Sequence, residues 1–248
     1  MASAFIWALI AASSLLVGGL LALWINISKK MLGAIMGFGA GVLISAVAYE
    51  LVFEAVQEAG RTGYPTLGFF VGAITFFVSD KLIGSMGASE RKSVNASHQS
   101  SMVVPLVLGI ILDGIPESVV IGLGILGGGS VSLGMLVAVF ISNLPEGIAS
   151  TTGMRSGGWS GVKIISLWVI IAVVCALASA LGYALCGNLS SQWLSFTLAF
   201  SGGAILMMLA NTMMPEAYEH GGKLAGIFTV LGFAVSVWVI AFEHSGAG

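Results

Sequence analysis

Asp113-Gly114-Ile115-Pro116-Glu117-Ser118 and Ser142-Asn143-Leu144-Pro145-Glu146-Gly147 sit in the middle of two neighbouring apolar runs, residues 102 to 126 and 131 to 154, that otherwise read as membrane-spanning helices. Two features are out of place there. A carboxylate near the centre of a bilayer costs at least about 2.5 kcal/mol, and a proline inside a helix removes a backbone hydrogen bond. Pro116 leaves the Leu112 carbonyl without its helical donor, and Pro145 does the same to Ile141. Carbonyl oxygens released beside carboxylates on a kinked helix are the materials of a cation site inside a membrane. Spacing strengthens the reading. Asp113 and Glu117 are four residues apart and share a helix face, as do Ser142 and Glu146 on the next run. Only the short link around Gly127-Gly128-Gly129-Ser130 separates the runs, so they are antiparallel neighbours whose polar faces can meet.

The rest of the chain has the same character. It is 57% hydrophobic and 8% charged over 248 residues, with a mean hydropathy of +1.04. This composition belongs to a polytopic all-α membrane protein, not to a water-soluble domain. Apolar segments at residues 4 to 25, 31 to 54, 65 to 84, 102 to 126, 131 to 154, 163 to 186, 193 to 216 and 224 to 243 are each about long enough to cross a hydrocarbon core. About eight transmembrane helices in one domain, residues 1-248, are therefore expected. The first segment has no basic leader and is followed by Lys29-Lys30, so it reads as a retained span.

Lys29, Lys30, Lys81, Arg91, Lys92, Arg155, Lys163 and Lys223 all fall on one side of this arrangement, and only Arg61 falls on the other. The positive-inside rule puts the larger set in the cytoplasm and both termini outside, as in a plasma (inner) membrane protein. Residues 85-101, rich in Ser, Lys, Arg and Asn, form the one long loop, expected to be cytoplasmic and mobile. There is no basic patch of the kind that binds nucleic acid.

A shift of 162 residues lays Gly41 to Ala48, Glu54-Ala55 and Gly60 over Gly203 to Ala210, Glu216-Ala217 and Gly222. Leu67-Gly68-Phe69 matches Leu231-Gly232-Phe233 after a two-residue slip. Spans five apart enter the bilayer from opposite sides, so this is the mark of an inverted repeat, spans 1-3 against 6-8, around a central pair, spans 4-5. Chance similarity between Gly- and Leu-rich helices is the competing explanation, and the shared Glu-Ala at equal depth argues against it.

Three acids, Asp113, Glu117 and Glu146, with no Lys or Arg partner in any span, favour a bound cation over protonated carboxyls bridging helices. Asn143 reads equally as a further ligand or as a helix-packing hydrogen bond. Glu54 and Glu216, linked by the repeat, are candidates for the two mouths of a pathway, where negative charge concentrates cations. Glu50, Glu58, Glu219 and His220 read as interfacial side chains, and His98 and His244 as solvated ones. Cys175 and Cys186, about 16 Å apart along one helix, read as packing residues. Gly33, Gly37 and Gly41 form a small-residue stripe for close helix contact within or between subunits. Met207, Met208, Met213 and Met214 offer thioethers, although a Met-rich helix is ordinarily core.

The two Pro-Glu spans resemble the fourth and fifth helices of the Zrt/Irt-like (ZIP) divalent-metal transporters, whose motifs read approximately His-Asn-x-Pro-Glu-Gly and His/Gln-Asn/Asp-x-Pro-Glu-Gly. Eight spans, outside termini, a cytoplasmic loop after the third span and Pro215-Glu216-Ala217 in the seventh extend the likeness over nearly the whole chain. The resemblance implies that Asp113, Glu117, Ser142, Asn143 and Glu146 occupy metal-binding positions. It also implies a homodimer, and a bundle of spans one, four, five and six that slides against spans two, three, seven and eight. Asp113 replaces the usual histidine, Gly114 the usual asparagine, Ser142 a common His or Gln, and Ser179 the acid often present in the sixth span. These departures put a paired-metal arrangement in doubt.

The function expected is transport of divalent metal cations across a membrane by alternating access. The metal is cargo, Zn, Mn, Fe or Co, and no cofactor is implied. With every candidate ligand an oxygen, preference should move toward harder ions such as Mn²⁺ or Mg²⁺. A transport-inactive metal sensor or scaffold is the alternative. An intramembrane metallohydrolase is more remote, because no span carries a histidine or a His-Glu-x-x-His pattern, and an enzyme is not expected.

Overall fold

The structure, a computed structural model, describes residues 1–60, 62–85, 103–128 and 132–245. Arg61, Arg91, Lys92, His98, Gly129, Ser130 and almost all of the expected loop at 85-101 lie outside the described residues, as does the side chain of His244. Among the described residues eight helices are long and apolar enough to cross a membrane. They are α1 (Ala2–Trp24), α2 (Lys29–Ala59), α3 (Tyr64–Ile83), α4 (Val103–Gly128), α5 (Leu133–Ser156), α6 (Gly161–Cys186), α7 (Ser191–Gly221) and α8 (Lys223–Ser245). Starts are marked as short polar residues mark them. Ser28 caps α2 by accepting from Met31 N, Ser132 caps α5 through Met135 N, and Ser160 caps α6 through Lys163 N. At the other end of α1, the Arg155 guanidinium donates to the Ala22 and Leu23 carbonyls, at 3.5 and 3.1 Å, which the helix terminus leaves without internal donors.

Helices α2 and α7 each run five residues past their expected ends at 54 and 216, through the polar residues Gln57 and Glu58 and Glu219 and His220 at which the apolar runs stop, and each contains a wider turn. The backbone is π-helical at Val47–Val52 and again at Leu209–Met213. Phe53 N bonds the Ala48 carbonyl and Met214 N the Leu209 carbonyl, five residues back in both cases. The segments then close on glycines of nearly equal geometry, Gly60 at φ 61, ψ −136 and Gly222 at φ 58, ψ −140. The 162-residue repeat is thus written in the backbone as well as in side chains, which removes chance similarity as its explanation.

Packing sorts the helices into two bundles. In one, α1 lies against α5 and α6, and α4 against α6; in the other, α2 lies against α7 and α8, and α3 against α7. These are the sets that the resemblance pairs. Small residues let the second bundle close. A Cβ on Gly37 or Gly41 would meet the backbone of α8 at Ala225 or Thr229, and one on Gly33 would meet Gly221 and Ala217 of α7. The Gly33, Gly37, Gly41 stripe is therefore filled within one chain. Gly68 and Gly72 of α3 stand in the same way against the Phe196 and Phe200 carbonyls of α7. Within the first bundle, Gly18 of α1 and Gly147 of α5 interleave with the Leu144 and Leu15 carbonyls, and Trp168 Nε1 donates to Thr151 Oγ1 at 2.8 Å. Between the bundles, α5 lies on α2, α4 on α7, and the start of α5 on the end of α8.

Candidate functional site

Where the bundles meet, a cavity of about 10 Å³ is lined by Glu117 of α4, Ser142, Pro145 and Glu146 of α5, Met36 of α2, and Met208 and Met213 of α7. That is close to the smallest space that admits one water molecule, and a bare metal ion is smaller still. The two Pro-Glu turns therefore open into one cavity. Glu117 is 2% exposed and Ser142 3%, while Glu146 is half-buried. Ser142 Oγ lies 3.0 Å from the Val139 carbonyl and 3.4 Å from Glu117 Oε1. A hydroxyl has one proton to donate, so it serves one of these acceptors at a time and keeps lone pairs for a cation.

The proline chemistry is also visible. A methyl group at Gly39 of α2 would come within 3.1 Å of Ser142 Cα, 3.3 Å of the Ile141 carbonyl oxygen and 3.0 Å of Met213 Cε. The carbonyl that Pro145 deprives of its donor thus faces a point of α2 with no side chain, Gly39.

Not every expected ligand lines this space. Asp113 and Asn143 are buried, at 3% and 4% exposure, but neither is part of the lining. Among the described residues no three His, Cys, Asp or Glu side chains stand close enough to hold a metal ion between them. Two of the three expected acids share the cavity with Ser142, and the remaining lining is Pro145 and three methionines. The all-oxygen ligand set anticipated from sequence is not the whole lining, because Met36, Met208 and Met213 complete it.

A second cavity, of about 30 Å³, is lined by Glu50, Leu51 and Glu54 of α2, Val120, Ile121 and Gly124 of α4, Ser132 and Met135 at the start of α5, and Leu198 of α7. On α4 its residues lie three to seven positions beyond Glu117, roughly 5 to 10 Å along the axis. Glu54 is exposed here, and Glu50 is the more engaged acid. Ser132 Oγ donates to Glu50 Oε2, while Glu243 of α8 accepts from Leu133 N at 3.0 Å and Gly134 N at 3.3 Å. Two carboxylates thus meet the amide end of α5, where helix geometry leaves N–H groups unpaired and positive. Glu50 is not the freely solvated interfacial acid expected from sequence, and Glu243 carried no signal beyond being an acid at the end of an apolar run. Glu216 is half-buried at the far end of α7 and lines neither cavity. In that direction Ala22, Leu32, Met36, Ile148, Ala149, Ala217 and Ala225 form an apolar cluster.

No family model matches the chain. Among characterised proteins, it is 24% identical to the zinc transporter ZIP11 of Homo sapiens, with 93% of each chain covered. It is 27% identical to the zinc transporter ZIPB of Bordetella bronchiseptica, over 90% of this chain and 75% of that one. An Arabidopsis thaliana protein with zinc transporter in its name is 27% identical over 79% of this chain, which spans only 32% of that longer relative. Several relatives are thus named ZIP-type zinc transporters, at modest identity but over most of the chain, in agreement with the resemblance drawn from the Pro-Glu motifs.

Proposed function

We propose that this relative of the ZIP-type zinc transporters carries divalent metal ions across a membrane by alternating access, with Glu117, Glu146 and Ser142 as ligands at mid-depth. The observation that carries the reading is the single cavity at the meeting of two bundles, into which both Pro-Glu turns bring a carboxylate. Two carboxylates and one divalent ion sum to zero charge, which is what a low-dielectric interior tolerates. Asp113 and Asn143 are buried, one turn before Glu117 and beside Ser142 in the chain, and stand as further ligand candidates.

Access runs from the side of Glu50 and Glu54, through the second cavity, while the apolar cluster around Leu32 and Ile148 closes the opposite side, where Glu216 marks the other mouth. The lysines and arginines near that closed side favour a cytoplasmic placement in a plasma membrane, with both termini outside. Transport then consists of the α1, α4, α5, α6 bundle moving against the other four helices. The resemblance favours a homodimer as the working unit. Zinc is the metal suggested by the relatives' names, with Mn, Fe and Co as the other candidates.

Uptake into vesicles reconstituted with the full chain tests this. Glu117→Ala and Glu146→Ala should each abolish metal flux while the variants keep their detergent-solubilised elution profile. Wild-type flux in both would remove these residues from the mechanism. Metal binding by the parent protein without any flux would instead identify a sensor or scaffold.

A further inference from the structure

On the side of Glu216 the two bundles meet through apolar side chains, Ala22, Ile148 and Ala149 of one against Leu32, Met36, Ala217 and Ala225 of the other. Such contacts set no register, because burial of apolar surface is non-directional. Hydrogen bonds do set one, since a slide of about 1 to 2 Å breaks them. The side-chain hydrogen bonds of Arg155 to Leu23, Trp168 to Thr151, Ser179 to Ala4 and Ser195 to Ala55 each stay inside one bundle. Those at the start of α5 cross between the bundles. Glu243 of α8 accepts from Leu133 N and Gly134 N, while Ser132 Oγ lies 3.5 Å from Glu243 Oε2 and donates to Glu50 Oε2 of α2.

Gly134 makes room for this contact. A methyl group there would strike Glu50 Oε1 and come within 3.0 Å of Ile240 Cγ1 of α8. The hold is also incomplete. Glu50 Oε1 is buried without a hydrogen-bond partner, and two carboxylates share one hydroxyl and one helix end. A directional contact that spans both bundles and leaves an acceptor unsatisfied can both fix a position and release it. Resting on the transport reading, we propose that Glu243, with Glu50 and the start of α5, is a latch that holds the bundles in the arrangement open on the side of Glu50, and that its release governs how often the apolar side opens.

The test reads position without reading flux. Ile148, 2% exposed in the apolar cluster, is buried while that side is closed, so Ile148→Cys in a Cys175→Ala/Cys186→Ala background reports its opening. In membranes containing the full chain, without added metal, N-ethylmaleimide should modify this position about fivefold faster or more once Glu243→Gln is added, the population shift that follows from weakening one charge-assisted hydrogen bond. Gly134→Ala, which displaces Glu50 by bulk and leaves the Glu243 carboxylate in place, should do the same. Ser195→Cys in the same background is the control, because Ser195 is fully buried inside the second bundle. Its modification should stay at the parent rate. Unchanged modification at position 148 in both variants overturns the latch, as does a rise in Gly134→Ala alone or an equal rise at position 195, which would mean general loosening. Normal metal flux with no response at position 148 leaves the transport reading standing without the latch. A response at position 148 in a protein that carries no metal would sink the transport reading and keep the latch.

Discussion

Glu117 and Asp113 are neighbours on one face of α4, yet only Glu117 lines the cavity, so substitution should separate them. Glu117→Gln keeps the shape and removes the charge that the ion needs. It should stop uptake, whereas Asp113→Asn should slow it by a smaller factor, read as initial rates in the same vesicles. Ser132 offers a test without metal. Its Oγ accepts from Met135 N at 3.2 Å and donates to Glu50, so Ser132→Ala removes a helix cap and leaves a carboxylate without its donor. The cost should be about 1 to 2 kcal/mol, seen as a lower midpoint of thermal unfolding in detergent. At this scale the sequence was legible where chemistry conflicted with surroundings: an acid beside a proline in an apolar run stands out. Met36 did not stand out, because an apolar residue among apolar residues gives no signal until the packing of α2 on α5 is known. Glu243 was hidden for the opposite reason, since acids at the ends of spans are common.

The eight spans were legible from run length alone, and their expected ends fall within a few residues of the observed ones, α2 and α7 excepted. Those two extend further because their last turns carry polar residues that end an apolar run without ending a helix; the π turns inside them were not legible, since only hydrogen bonding distinguishes a π turn from an α turn. Helix pairing was legible in part. Spacing marked the Gly33, Gly37, Gly41 stripe as a close contact but did not say with which helix. Glycines at contacts and glycines in open space should respond oppositely to one added methyl. At Gly72 it would strike the Phe200 carbonyl, whereas at Gly226 nothing lies within 4 Å. Gly72→Ala should separate α3 from α7 and cost about 1 to 3 kcal/mol or more. Gly226→Ala should raise stability by about 0.5 to 1 kcal/mol through helix propensity. Thermal unfolding of the two variants side by side checks both signs.

For the whole molecule, the repeat is the feature that sequence and structure share most directly, and it makes a paired prediction. Gly60 and Gly222 hold a backbone conformation open almost only to glycine, and neither has a neighbour that an added Cβ would touch. Gly60→Ala and Gly222→Ala should therefore each cost about 1 to 3 kcal/mol from backbone strain alone, with similar magnitudes at opposite faces of the protein. Unequal losses in calorimetry would mean that the two turns are not structural equivalents. The matched π turns carry a different consequence. Each holds one residue more than an ordinary turn of the same helix, yet leaves both flanks facing the way a regular helix would present them. Excising Ala48, or Ala210 in the other half, should tighten the coil locally without rotating Glu54 or Glu216 out of phase. Loss of one amino acid from the middle of a buried span ordinarily turns everything after it by about 100 degrees; here the slack to absorb it is already built in, twice.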